Sequence, residues 1–148
     1  MISKEPNMMD ENAVVDAICS FLIQNGYAIK SRCSTTERGI DVCAEKPHTG
    51  QAIHVEAKGA TSSRAGSNRF GKPYTESQVF DRVAKGFYTV FRMKEEGSRN
   101  VRFVLAVPDA EWFRKYLDPV KPAFEGAEIG VLLVGAGGHV RALTDFRL

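Results

Sequence analysis

Gly39-Ile40-Asp41-Val42-Cys43-Ala44-Glu45 and Gln51-Ala52-Ile53-His54-Val55-Glu56-Ala57-Lys58-Gly59 both alternate apolar and polar residues. That period of two is the pattern of half-buried strands. Pro47-His48-Thr49-Gly50 between them is a turn sequence. The two stretches therefore predict a hairpin. Ile40, Val42 and Ala44 share one face, as do Ile53, Val55 and Ala57, so Asp41, Glu56 and Lys58 point the other way. A turn about His48 and Thr49 sets Asp41 opposite Glu56, with Cβ atoms roughly 4.5–5.5 Å apart. A slip of one residue would put the two acids on different faces.

Two like charges facing each other destabilise a hairpin unless a cation stands between them. Mg²⁺ takes oxygen ligands and keeps several of its waters, so two carboxylates can share it. Lys58 would stand beside that metal. The same acids and lysine also suit a strand face that simply meets water, where ion pairs contribute little. His54 lies on the face of Glu56 and is read as a solvent-facing strand histidine.

The 148-residue chain suits one domain, residues 1–148, with a real core. Residues 1–9 read as a loose tail. No apolar run reaches the ~18–20 residues of a membrane span, and the N-terminus lacks a signal-peptide core. Cys19, Cys33 and Cys43 are odd in number and without paired spacing, which suggests neither a disulfide framework nor a zinc site. The expectation is a cytoplasmic protein with reduced thiols.

Net charge is +2. From Glu56 to Lys94, however, eight basic residues face three acidic ones, a local +5 that leaves −3 elsewhere. A basic field beside a candidate metal suits a polyanion such as nucleic acid. A solvated basic helix and loop would give the same count. The stretch from Gly59 to Tyr74 has no periodicity, and its Arg64, Arg69 and Lys72 are candidate phosphate contacts.

Outside the hairpin, Asp10 is an expected N-cap for an amphipathic helix carrying Val14, Val15, Ile18, Phe21 and Leu22. Asn25-Gly26 ends it. Glu11 lies on the apolar stripe of that helix at its first turn. It either meets the metal site or sits there because the helix dipole favours an acid. Tyr27 to Cys33 reads as a strand. Thr75-Glu76-Ser77-Gln78 matches a capping box and opens a helix to about Glu96. Phe80, Val83, Ala84, Phe87 and Phe91 are its expected apolar stripe, and Gln78, Arg82, Lys85 and Arg92 its basic one. Val101–Val107 and Ile129–Val134 read as strands buried on both faces. Asp109–Leu117 reads as a short helix, Pro119 and Pro122 as brackets of a loop, and His139–Leu143 as an edge strand.

The order α-β-β-β-α-β, an Asp fifteen positions before a Glu-x-Lys, and a Glu in the opening helix together resemble the PD-(D/E)XK nuclease superfamily. The resemblance runs from about Glu11 to Val107, with Ile40 where the motif has proline. It implies an α/β, restriction-endonuclease-like αβββαβ core, with a central mixed sheet flanked by helices. Asp41, Glu56, the Ala57 carbonyl and Glu11 would hold Mg²⁺ or Mn²⁺. Lys58 would position or activate the attacking water, and Gln78 would be an extra polar active-site residue. Arg64, Arg69, Lys72, Arg82 and Lys85 would bind nucleic acid. The expected activity is metal-dependent phosphodiester hydrolysis, foremost as a DNA endonuclease in restriction, repair or recombination. The alternative is a non-catalytic nucleic-acid-binding or assembly subunit of the same fold. Cutting both strands of a duplex would favour a homodimer or a partner subunit, for which Trp112, Phe113 and Tyr116 are candidate contacts, though core packing explains them more simply.

Overall fold

The computed structural model describes residues 7–33, 39–62 and 72–148. In chain order the elements are α1 (Glu11–Gln24), β1 (Ala28–Arg32), β2 (Val42–Glu45), β3 (Ala52–Ala57), α2 (Glu76–Glu96) and β4 (Val101–Pro108). After these come α3 (Glu111–Leu117), a 3₁₀ turn (Asp118–Val120), α4 (Lys121–Gly126), β5 (Ile129–Val134) and β6 (Val140–Ala142). The strands form one six-stranded mixed sheet in the order β1-β2-β3-β4-β5-β6. β3, β4 and β5 run parallel, while β1, β2 and β6 pair antiparallel to their neighbours.

The hairpin has the expected register. Val42 pairs with Val55, Cys43 with His54 and Ala44 with Ile53. Both faces of the sheet are covered. Val42, Ala44, Ile53, Val55 and Ala57 share a core with Val14, Val15, Ile18 and Leu22 of α1. Phe103, Leu105, Val107, Val131 and Leu133 pack with α2, α3 and α4 on the opposite side. Strands β4 and β5 thus bury alternate residues against two different layers, which accounts for their continuous apolar runs.

Four details differ from the sequence reading. β2 starts at Val42, not at Gly39. Extending the register would set Ile40 opposite Ala57, but the Asp41 carboxylate accepts the Ala57 N–H instead, at 2.8 Å. The buried stripe of α2 is Val79, Val83, Gly86 and Val90, while Phe80 remains 50% exposed and Ala84 is exposed. Gly86 sets this rotation, because a Cβ there would come within 2.8 Å of Leu105 Cδ1. Phe87 and Phe91 are displaced to the flank, where they stack on each other and meet Phe124 edge-on. The segment of Pro119 and Pro122 is helical, each proline standing in a first turn where its missing N–H costs nothing. Asn7 to Met9 are anchored, not loose: Asn7 Nδ2 donates to Val134 O and Met9 O accepts from Ala60 N.

Thr144 shows how the far edge is held. It is 4% exposed, and its Oγ1 accepts from Val131 N at 3.0 Å in the middle of β5. Thr144→Val keeps the shape but orphans that N–H. The expected cost is ~1–3 kcal/mol, read from urea unfolding midpoints.

Candidate active site

β3 carries Glu56 at its penultimate position and Lys58 just beyond its end, both on the side covered by α2. The Lys58 stem passes beneath Gly86, whose added Cβ would lie 3.4 Å from Lys58 Cγ. A larger residue at 86 would push the helix off this stem. The Lys58 ammonium ends 3.0 Å from Glu56 Oε1, and both side chains are largely buried. Asp41 reaches the same place from the start of β2. Its main chain stays tied to β1, since Cys33 N donates to Asp41 O at 2.9 Å. Its side chain turns to the Ala57 N–H. A residue in extended conformation directs its N–H and C=O to the same edge, so the Ala57 carbonyl shares the Asp41 side of β3.

Asp41 is 9% exposed and Glu56 8%. The face they occupy is therefore not the solvated one that ordinary surface acids would need. Burial, and next the Glu56 charge, push the Asp41 carboxyl up to about 7, against the opposing pull of the Ala57 N–H. Glu11 is the first residue of α1, capped by Asp10 through Ala13 N at 2.8 Å. Burial raises its carboxyl above the usual range, while the Lys58 charge lowers it and Glu56 raises it. The fold thus brings Glu11, Asp41, Glu56 and Lys58 into one electrostatic cluster, from the start of α1, the residue before β2, and β3 with the residue after it.

The remaining expected residues divide. Gln78 completes the capping box: its Oε1 accepts from Thr75 N at 2.9 Å while Gln78 N donates to Thr75 Oγ1. Arg82, one turn on, lies within the field of Glu11, and its guanidinium sits 5.0 Å above the Tyr74 ring. Lys85 and Lys72 are exposed. Arg64 and Arg69 lie outside the described residues. His54 is half-buried, packed edge-on against Phe103 at 5.8 Å, and burial lowers its pKa. It is thus not the solvent-facing residue expected, because α2 covers that face of the sheet. Phe113 is buried, Tyr116 meets Phe80 and donates to Glu76, and Trp112 is 40% exposed. Gly59 and Gly86 shape the site without having been singled out for it. A glycine in mid-helix was a readable sign of close packing for Gly86.

The donor set is all oxygen, which suits a hard divalent cation. Among the described residues no group of three or more His, Cys, Asp or Glu side chains forms a metal cage. The arrangement is instead two facing carboxylates with a main-chain carbonyl and Glu11 nearby. That fits Mg²⁺, which is commonly held by one or two carboxylates with waters and substrate oxygens completing its shell. A cleft of about 480 Å³ lined by Gln51, Arg99, Val101 and Glu128 lies at the other ends of β3 and β4.

No protein-family model matches the chain, and no curated protein matches it. A solved structure with a similar fold is that of a FdxN element excision controlling factor protein from Anabaena variabilis. The likeness has a TM-score of 0.53 at 17% identity and covers 90% of this chain and 99% of that one. At that identity it extends to the fold alone. Among the described residues no helix is long and apolar enough to cross a membrane.

Proposed function

We propose that the chain is a metal-dependent nuclease with a restriction-endonuclease-like core, hydrolysing phosphodiester bonds in DNA. One observation carries the reading: two carboxylates from adjacent strands are buried together, and one of them holds a lysine. Burying facing acids costs stability unless positive charge compensates. Lys58 supplies one such charge, and a divalent cation is the natural second. The element order, helix then three strands then helix then strand, agrees with the superfamily that the sequence resembles.

Asp41, Glu56, the Ala57 carbonyl and Glu11 would hold Mg²⁺ or Mn²⁺. A cation held there would supply relief of charge on the phosphoryl oxygens and a lowered pKa for a bound water. Lys58, held by Glu56, hydrogen-bonds the attacking water and stabilises negative charge as it develops. Its buried stem fixes the ammonium, so little reorganisation accompanies the reaction. Asp41 keeps the end of β3 in place through the Ala57 N–H. Arg82, braced on Tyr74, supplies charge beside Glu11 for the substrate backbone, and the exposed Lys72 and Lys85 add to it.

A second reading is a non-catalytic nucleic-acid-binding or assembly subunit. It is favoured by the fold neighbour, which is named a controlling factor of element excision. One experiment separates the two: incubation with supercoiled plasmid, linear duplex, branched DNA and RNA, in Mg²⁺, Mn²⁺ or EDTA. Cleavage of DNA in Mg²⁺ or Mn²⁺ and none in EDTA is the expected result. Binding without cutting under every condition would move the assignment to the second reading.

A further inference from the structure

Glu11 reaches the site from a helix far from β3 in sequence, and its place depends on a contact between main chains. Gly59 follows Lys58 directly. A Cβ built on it would overlap Glu11 N and stand 2.6 Å from Asp10 C and 2.9 Å from Asp10 Cα. These are backbone atoms, which cannot rotate away as the end of a side chain can. The neighbouring bonds lock the same approach. Ala60 N donates to Met9 O at 2.7 Å, and Thr61 Oγ1 donates to Met8 O at 3.2 Å. Asp10 and Thr61 form a parallel bridge, and Asn7 Nδ2 donates to Val134 O at 2.8 Å on β5. The chain beyond β3 thus serves as a berth for Asn7–Asp10, and α1 starts where that segment ends.

We infer that Gly59, with the docked segment Asn7–Asp10, is a positioning element of the site: the missing side chain sets how closely α1 approaches and so brings Glu11 to the Asp41–Glu56–Lys58 cluster. The chemical meaning of that placement rests on the nuclease reading; the packing itself does not. Glu11 is the carboxylate that α1 contributes, and the field it shares with Glu56 and Lys58 is the consequence. Groups that orient a metal's ligands typically change metal affinity by ~10–100-fold when altered.

Gly59→Ala in the full chain tests this with two independent readouts. The first needs no activity: the NMR contact between the residue-59 α-proton and the Glu11 amide, and hydrogen exchange at the Ala60 amide. The contact is expected to weaken and exchange to quicken by about tenfold or more, because the Met9 bond opens. The second is Mg²⁺ affinity by calorimetry without substrate, expected to fall ~10-fold. The same loss is expected for Glu11→Gln, with Ala60 exchange unchanged. The double variant should lose little more than either single one, since both act through one carboxylate. Should Gly59→Ala fail to fold, Thr61→Val removes only the tie to Met8 and is read in the same way. Unchanged contact and exchange in a folded Gly59→Ala would overturn the inference, as would a lost contact with Mg²⁺ affinity intact. Absence of both Mg²⁺ binding and cleavage in the unaltered protein would instead overturn the nuclease reading, with the NMR arm still deciding the packing.

Discussion

Asp41→Asn and Lys58→Ala are each expected to lower divalent-cation-dependent cleavage by about 10³-fold while leaving the chain folded. The magnitude follows from removing one preorganised charge from a buried site, which typically costs ~10²–10³-fold in rate. Asparagine is the sharper change at position 41, because its side-chain oxygen can still accept the Ala57 N–H that Asp41 now takes at 2.8 Å. The anchor of the strand end then survives and only the charge is lost. Lys58→Ala removes the ammonium 3.0 Å from Glu56 Oε1 and leaves Glu56 buried beside Asp41 without it. That variant should be less stable at neutral pH as well as inactive. Initial rates on whichever nucleic acid of the cleavage panel the wild type cuts, with circular dichroism and thermal unfolding of each variant, make the measurement. Rates at the wild-type level in either folded variant would remove Asp41 or Lys58 from the reaction.

In the absence of metal, the protein is expected to lose stability as pH rises from about 4 to about 7. The folded Asp41 carboxyl keeps its proton up to about 7, whereas the unfolded chain releases it near 3.8. Between those values the folded state binds more protons, so stability falls with rising pH. The contribution is present in full below the unfolded value and lost through the folded one. Over the whole window it amounts to ~4 kcal/mol. Glu11, raised by burial, acts in the same direction. His54, lowered by burial, acts in the opposite direction just below its ordinary 6.5. Asp109 is held low, chiefly by Arg141, and its window lies below 3.8.

The difference between wild type and Asp41→Asn isolates the Asp41 contribution. Urea unfolding in EDTA at about pH 4.5 and about pH 7.5 should show that difference changing by several kcal/mol in favour of the variant at the higher pH. Adding Mg²⁺ at about pH 7.5 should stabilise wild type more than the variant, because the variant lacks the Asp41 carboxylate that would be one of the cation's ligands. Parallel pH profiles for the two proteins would show that Asp41 does not titrate in this window.

Much of this arrangement is local enough to be read without coordinates. Alternation in Val42–Glu45 and Ala52–Ala57, with Pro47 to Gly50 between them, sufficed for the hairpin and its register, since a period of two and a short turn leave few pairings. Asp10 and Thr75 were legible as caps because a capping residue bonds within its own first turn. The nearly continuous apolar runs at Val101–Val107 and Ile129–Val134 were legible as central strands because residues buried on both faces are apolar; the first strand extends one residue further, to Pro108.

Packing between distant elements decided the rest. Periodicity placed the apolar stripe of α2 on Phe80 and its fellows, yet Gly86 rather than a large residue sits against Leu105, since the helix approaches closely there. Asp41 and Glu56 were visible as a facing pair, but the burial of both was not. The arrival of Glu11 depends on Gly59 having no side chain and on Met9 meeting Ala60. The amino-acid sequence alone determined which residues pair along the strands, because those rules act over a few residues. Only the tertiary structure decided which charges are buried together, because the cost of burying a charge is set by whatever packs over it.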